Sequence, residues 1–406
     1  MSSAKERVKT GRTIILLAVF AVLMVSRRPD QLANPQFYAD DGSGFFADAV
    51  RSGWACVFTP YNGYLLLLPR IVAVALTKAM PWEFLPLAFS LSALTICSLI
   101  ALRIAQISPS GLAAFGMMVA LVAVPNNGGG APFLNLCCLH FFFAVLIVLE
   151  CWSGSATSWS AAGRGSMLVV AALSCPEPII ILPVILWRIW VQRANRAACW
   201  PLIGLAGGAV VQLLIVLAVG RRRLAVQGIM GRILLQLPQV MSFYCSHLFA
   251  EFADMSSASL IAYLLLIFVV AVLVWSFLDS GNPFRSQAAG CILCALLLLI
   301  AGRMVNPGWP DPVGAGSRYV LPVFALAMMS LVLLCYGTEC RARKFALGFL
   351  LLAVISSALV CWQCVPYTDF NWRHQVAEVR AGRCRSFVIP PGWSFPVPIQ
   401  GRAPAP

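Results

Sequence analysis

Charged side chains are scarce: Asp, Glu, Lys and Arg make up 11% of this sequence, against roughly 25% in a soluble globular protein. With 60% of 406 residues hydrophobic, a water-soluble fold lacks the polar surface to cover its apolar content. Histidine is rarer still. His140, His247 and His374 share no local spacing, which argues against a histidine-rich metal site and leaves any metal to be a hard ion on oxygen ligands. The 15 cysteines lack zinc-type pairing; Cys97, Cys137, Cys138, Cys291 and Cys294 lie in apolar segments and read as small core residues. Also missing are a convincing internal repeat and any stretch for a large soluble domain. Acidic residues number 15 against 29 basic ones, a net charge of +14. The basic residues sit singly or in short clusters at the ends of apolar runs, where they meet membrane lipid headgroups, so no nucleic-acid partner is expected.

What the chain does contain is a succession of apolar runs. Lys5, Arg7, Lys9 and Arg12 precede the first, Thr13 to Ser26, and Arg27 and Arg28 follow it without a small-x-small cleavage site. That pattern predicts an uncleaved first span with a cytoplasmic N-terminus. Further spans are expected at Tyr64 to Ala79, Leu85 to Leu102, Leu112 to Val124, Phe133 to Cys151, Met167 to Ile189, Pro201 to Val219, Leu260 to Phe277, Ala288 to Ala301, Tyr319 to Cys335 and Phe345 to Cys361. The expected fold is all-α: a polytopic transmembrane bundle of about 11 spans, within about 10 to 12, forming a single integral membrane domain over 1–406. The basic N-terminus, Arg188 with Arg193 and Arg196, Arg285, and Arg341 with Arg343 and Lys344 then share the cytoplasmic side. The outer side receives the loops 27–62 and 221–259, the loop Gly302 to Arg318, the extracytoplasmic C-terminal tail 362–406 and most of the acidic residues.

The segment Phe37 to Arg70 carries the most chemistry. Asp40 and Asp41 fall on a turn with Gly42 and Gly44, ahead of an amphipathic helix expected over Phe45 to Phe58 and suited to lying flat at the headgroup level. Adjacent carboxylates there can act as a general base or hold a divalent ion, Mg or Mn, near a phosphate leaving group; the alternative is a solvated turn capping the helix. Arg70, in an otherwise apolar run, needs either a structural carboxylate partner or a substrate role. Glu177, between Pro176 and Pro178, either faces a cavity or satisfies freed backbone groups. Asn126 to Gly130 form a polar turn expected on the cytoplasmic side. Arg221, Arg222, Arg223 and Arg232 suit either a lipid diphosphate or unspecific lipid contact. The Pro-, Trp- and Arg-rich tail reads as extended, with a Cys364–Cys384 bridge open if the compartment oxidises thiols.

An acidic pair in the first outer loop, an interfacial helix and many short hydrophobic helices resemble the GT-C class of membrane glycosyltransferases. Arg318-Tyr319 followed by Val320, Leu321 and Pro322 resembles the Arg-Tyr-to-Pro pattern at the outer end of a late span in that class. The segment TPYNGYLLLLPR, Thr59 to Arg70 and including Tyr61, is similar to a stretch of bacterial GT-C-like membrane proteins. The resemblance implies a multi-pass protein of the bacterial cytoplasmic membrane that moves a sugar from a polyprenyl-phosphate donor to a glycan or lipid acceptor. It implies that Asp40 or Asp41 activates the acceptor or binds a metal, that Arg318 faces the lipid-linked phosphate, and that Tyr319, Tyr61, Arg70, Arg221 and Arg222 are candidate substrate contacts. An interfacial anchor is the alternative for Arg318 and Tyr319. A transporter or flippase of a lipid-linked or amphiphilic substrate is the rival for the whole chain.

Overall fold

The computed structural model describes residues 2–124, 133–153, 160–219, 274–275, 277–305, 320–360, 362 and 364–398. The chain is mostly helical, as composition and periodicity predict. Helix α1 (Ser2–Arg27) leads into the short α2 (Asp30–Ala33) and then a helical stretch of changing pitch: a π turn over Asp41–Phe46, α3 (Ala47–Ser52) and a 3-10 turn over Gly53–Phe58. There follow α4 (Leu67–Ala79), α5 (Leu85–Ile107), α6 (Gly111–Val122), α7 (Leu139–Trp152), α8 (Ala161–Leu173), α9 (Glu177–Ile180), α10 (Leu182–Gln192) and α11 (Arg196–Val219). The later described helices are α12 (Arg285–Val305), α13 (Val320–Gly337) and α14 (Arg341–Val360).

Helix α7 forms the centre. Every residue from Leu139 to Cys151 is buried, the pattern of a helix apolar around its whole circumference. Helices α5, α8, α12 and α13 pack against it. Side-chain caps set two of the helix starts, Ser110 accepting from the Ala113 amide at 3.1 Å and Ser160 from the Gly163 amide at 3.1 Å. Met167 to Ile189 is not one span: proline lacks the amide that a continuous ladder needs, and Pro176, Pro178 and Pro183 divide it among α8, α9 and α10.

Hydrogen bonds identify the two ends of the bundle. At one end Arg27 donates to the Val124 carbonyl at 2.8 Å, and Asp41 accepts from the amides of Leu136 and Cys137. At the other, Arg103 and Arg164 converge on Glu150, Arg188 donates to the Cys151 carbonyl at 2.8 Å, and Asp279 pairs with Arg343 at 2.7 Å. Arg188 and Arg343 thus belong to the end opposite the acidic pair. The run Tyr64 to Ala79 does not travel the length of the bundle. Helix α4 begins beside Asp48, which pairs with Arg70, and just beyond it the Trp82 carbonyl accepts from Trp372 in the tail. The expected alternation is therefore not followed between Tyr64 and Leu136: the described residues flanking Asn126 to Gly130, such as Val124 and Leu136, belong to the acidic-pair end, while that turn itself lies outside the described residues. Among the described residues, Trp82–Ile107 and Arg196–Val219 are long and apolar enough to cross a membrane, and the shorter apolar helices have 10–17 residues.

The tail is not simply extended. It forms α15 (Trp372–Arg380) and a hairpin of β1 (Ser386–Ile389) with β2 (Trp393–Pro396), in register Phe387 to Phe395. Trp372 is buried against Phe37 and Phe387, with ring centroids 4.9 and 4.7 Å away, and Phe46 meets Trp82 at 5.2 Å. Such aromatic pairs each add about 0.5–1.5 kcal/mol beyond simple burial. Gln375 clips the hairpin at both its amide oxygen and nitrogen, 2.7 and 2.8 Å from Val388. Cys364 and Cys384 are separate free thiols.

Candidate functional site

The acidic pair sits where the loop after α1 meets the segment preceding α7. Asp41 is buried, and its two oxygens accept from the Cys137 amide at 2.8 Å and the Leu136 amide at 3.0 Å. Asp40 is half-buried. One of its oxygens accepts the Tyr61 hydroxyl, and the other takes the Cys137 thiol at 3.6 Å. Neighbouring side chains in sequence thus have different duties: Asp41 is locked by backbone, and Asp40 is held by a phenol and a thiol on the less buried side.

The local backbone is shaped to allow this. Ala39 adopts φ +41, a conformation that a side chain with a Cβ seldom accepts. Its amide donates to the Pro390 carbonyl at 2.8 Å, so the tail hairpin helps hold the turn. A π turn begins at Asp41, a feature found frequently at functional sites. Gly44 leaves room for the Tyr61 ring; an added Cβ would stand 2.9 Å from Tyr61 Cε2. Gly42 does the same for the hairpin, since its Cβ would fall 2.6 Å from Ile389 Cδ1 and 2.9 Å from Phe37 Cβ. Gly42→Ala is expected to loosen the tail at a cost of about 1–3 kcal/mol, seen as faster tryptic cleavage after Arg380 or Arg383. Adding Ile389→Ala should restore resistance; cleavage as slow as in the parent would show that the hairpin does not rest on Gly42.

Burial pushes the Asp41 carboxyl up to about 7, with the Asp40 charge adding to the rise and the two amide bonds opposing it. Burial and Asp40 likewise raise the Tyr61 hydroxyl, which keeps it a hydrogen-bond donor. Below the ordinary value of 3.8, Asp41 is protonated in both folded and unfolded chains. Between that value and about 7 the fold holds the proton more tightly, so the stability this contributes at low pH is lost as pH rises, at up to about 1.4 kcal/mol per unit. The melting midpoint should therefore fall from pH 5 to pH 7 in the parent and fall less in Asp41→Asn. Parallel curves would contradict the assignment.

The sequence expectations for this segment are partly revised. Phe45 and Phe46 are fully buried, Phe45 against Tyr61 and Arg70 and Phe46 under the tail, and only the later part of the stretch exposes apolar rings, at Trp54 and Phe58. It is therefore not a helix lying flat along its length. Arg70 has the structural carboxylate partner: Asp48 at 3.1 Å, with Arg51 4.0 Å from the same side chain. Arg70 is 1% exposed, its guanidinium lies 5.8 Å from the Tyr61 ring centroid, and its Nε and Nη1 have no hydrogen-bond partner among the described residues. Each oxygen of Asp40 and Asp41 already accepts a hydrogen bond, and among the described residues no group of three or more His, Cys, Asp or Glu side chains assembles. Arg318, Tyr319, Arg221 and Arg222 lie outside the described residues.

Two buried polar groups go beyond the sequence reading. Glu150 bonds Arg103 Nε at 2.5 Å, Arg164 Nε at 2.6 Å and the Ser153 hydroxyl at 2.7 Å. The signal was present as lone charges in or beside apolar runs, which demand partners. Glu177 meets His140 Nδ1 at 2.7 Å, one helical turn beyond Cys137. The two arginines after α1 are also buried. Arg28 forks onto Asp30 at 2.9 and 2.6 Å and stacks on Tyr367, while Arg27 lies over Phe133 and Trp362. They fasten the tail instead of facing headgroups.

No family model, curated protein or solved structure matches the chain.

Proposed function

We propose that this chain is a polytopic protein of a bacterial cytoplasmic membrane, GT-C-like in architecture, that transfers a sugar from a polyprenyl-phosphate donor to a glycan or lipid acceptor on the extracytoplasmic face. The observation that carries the proposal is the division of labour in the acidic pair. Asp41 is fixed by two amides, and Asp40 is left half-buried and oriented by Tyr61, whose ring centroid lies 5.8 Å from the guanidinium of buried Arg70. A membrane setting is supported by apolar side chains on outward faces, such as Leu91, Leu99, Leu214 and Leu217, and by the basic residues at the end away from the acidic pair. Exposed Trp187 and Trp190 beside Arg188 and Arg193 suit the headgroup level.

In this mechanism Asp40 takes the proton of the acceptor hydroxyl as its oxygen attacks the anomeric carbon. The bond from that carbon to the phosphate oxygen breaks, and the electron pair leaves with the polyprenyl phosphate. Arginine suits the growing phosphate charge; Arg70 is the described candidate, and Arg318 and Arg221 with Arg222 are the others. The test is transfer by purified protein from a panel of polyprenyl-phosphate sugars, with Asp40→Asn as the inactive control. The transporter reading draws on the buried Arg103–Glu150–Arg164 and His140–Glu177 groups, since charges among apolar helices often line transport paths. Substrate uptake into liposomes without product would favour it.

A further inference from the structure

Tyr61 and Tyr64 close a tight turn, their backbones paired at 2.7 and 3.1 Å, with Asn62 and Gly63 at positive φ. Two unsatisfied polar groups adjoin it. Near Tyr61 is Arg70, almost wholly buried, with Nε and Nη1 unpartnered among the described residues. Near Tyr64, with ring centroids 6.4 Å apart, is His140, whose Nδ1 is engaged by Glu177 Oε1. Glu177 is 7% exposed, and its second oxygen, Oε2, is buried and makes no hydrogen bond among the described residues, the neighbouring Cys175 thiol donating to the Ala171 carbonyl at 3.1 Å. The proline break explains why backbone does not fill that need: a carboxylate at the start of a helical turn ordinarily meets free amides, but Pro178 has none to give. A buried acceptor without a donor is costly, and a ligand hydroxyl is a group that would supply one.

The two ends differ in chemistry. Unmet guanidinium donors call for an anion. A carboxylate oxygen beside an imidazole calls for a hydroxyl, and the tyrosine rings between them offer apolar faces to the C–H surfaces of a sugar. We infer that Glu177 and His140 bind hydroxyl groups of the sugar in a phosphate-linked donor whose phosphate is met by Arg70. This inference rests on the donor class proposed above and adds the residues that read the sugar. Glu177 Oε2 accepts from one hydroxyl, and the imidazole, oriented through Nδ1, presents Nε2 to the same ligand.

The test is equilibrium binding by the full chain in lipid nanodiscs, using a polyprenyl phosphate and the same lipid carrying each of several hexoses and pentoses. The parent should prefer one sugar-bearing lipid over the bare one. Glu177→Gln and His140→Gln, each checked by its melting midpoint, should weaken that lipid about tenfold to a hundredfold and leave the bare lipid within about twofold. Arg70→Gln should weaken both. Retained preference in the two folded variants would show that Oε2 is met by water and would overturn the inference, as would equal loss of both lipids. Binding of neither lipid by the parent is a separate result: it would remove the donor class itself, and the sugar site with it.

Discussion

Asp40→Asn is expected to lower sugar transfer by about 10²–10⁴-fold, the range a positioned general base contributes. The substitution keeps the shape of the side chain, and its amide oxygen can still accept the Tyr61 hydroxyl, so the melting midpoint and donor binding should stay close to the parent's. The loss should fall on kcat, since the base acts as the acceptor proton leaves, and not on the affinity for the lipid-linked donor. Tyr61→Phe should give a smaller loss, because it removes the bond that orients Asp40 and leaves the base in place. Asp41→Asn separates the roles further. Asp41 has both oxygens committed to the amides of Leu136 and Cys137, so its replacement should alter stability and pH response more than chemistry. Full activity in Asp40→Asn, at parent levels of folded protein, would remove the base from the mechanism.

Glu150→Ala should have the largest effect on stability, about 3–5 kcal/mol, the cost of breaking a buried ion pair by removing one partner. Glu150 is 0% exposed, and Arg103 and Arg164 share its two oxygens, so deletion removes the counter-charge of two guanidiniums among apolar helices, even though Arg103 also donates to Gln106 at 3.3 Å. Arg164 also donates to the Glu150 carbonyl at 2.6 Å and the Ser153 hydroxyl at 2.7 Å; those bonds cannot substitute for the carboxylate charge. The readouts are the yield of folded protein and its melting midpoint in detergent. The combined replacement Arg103→Met, Glu150→Leu and Arg164→Met should recover much of the loss, because an all-apolar set removes the desolvation cost together with the attraction. A Glu150→Ala protein as stable as the parent would mean that the arginines reach other acceptors.

How much of this was legible beforehand differs by element. Asp40 and Asp41 stood out because two adjacent carboxylates follow an apolar run, yet nothing in their spacing told which one would be locked by Leu136 and Cys137, almost a hundred positions away. Arg70 was legible as a charge needing a partner, but nothing in the spacing singled out Asp48 as that partner. The tail misled because its prolines suggested extension, whereas Trp372, Phe387 and Phe395 fold it onto Phe37 and Phe46. The course of the chain through Tyr64 to Ala79 was not legible, because an apolar run of that length reads the same whether it spans the bundle or begins and ends beside one end of it.

The sequence by itself determined helical character and the shortage of charge, since both follow from composition and local periodicity, which each residue expresses without regard to distant neighbours. It also determined that the isolated charges must find partners, because an unpaired charge among apolar side chains is too costly to keep. Tertiary structure alone decided which partners those are: Glu150 for Arg103 and Arg164, His140 for Glu177, and Tyr61 with the Cys137 thiol for Asp40. Pairing depends on the relative placement of helices, and that placement is set by the packing of all of them at once.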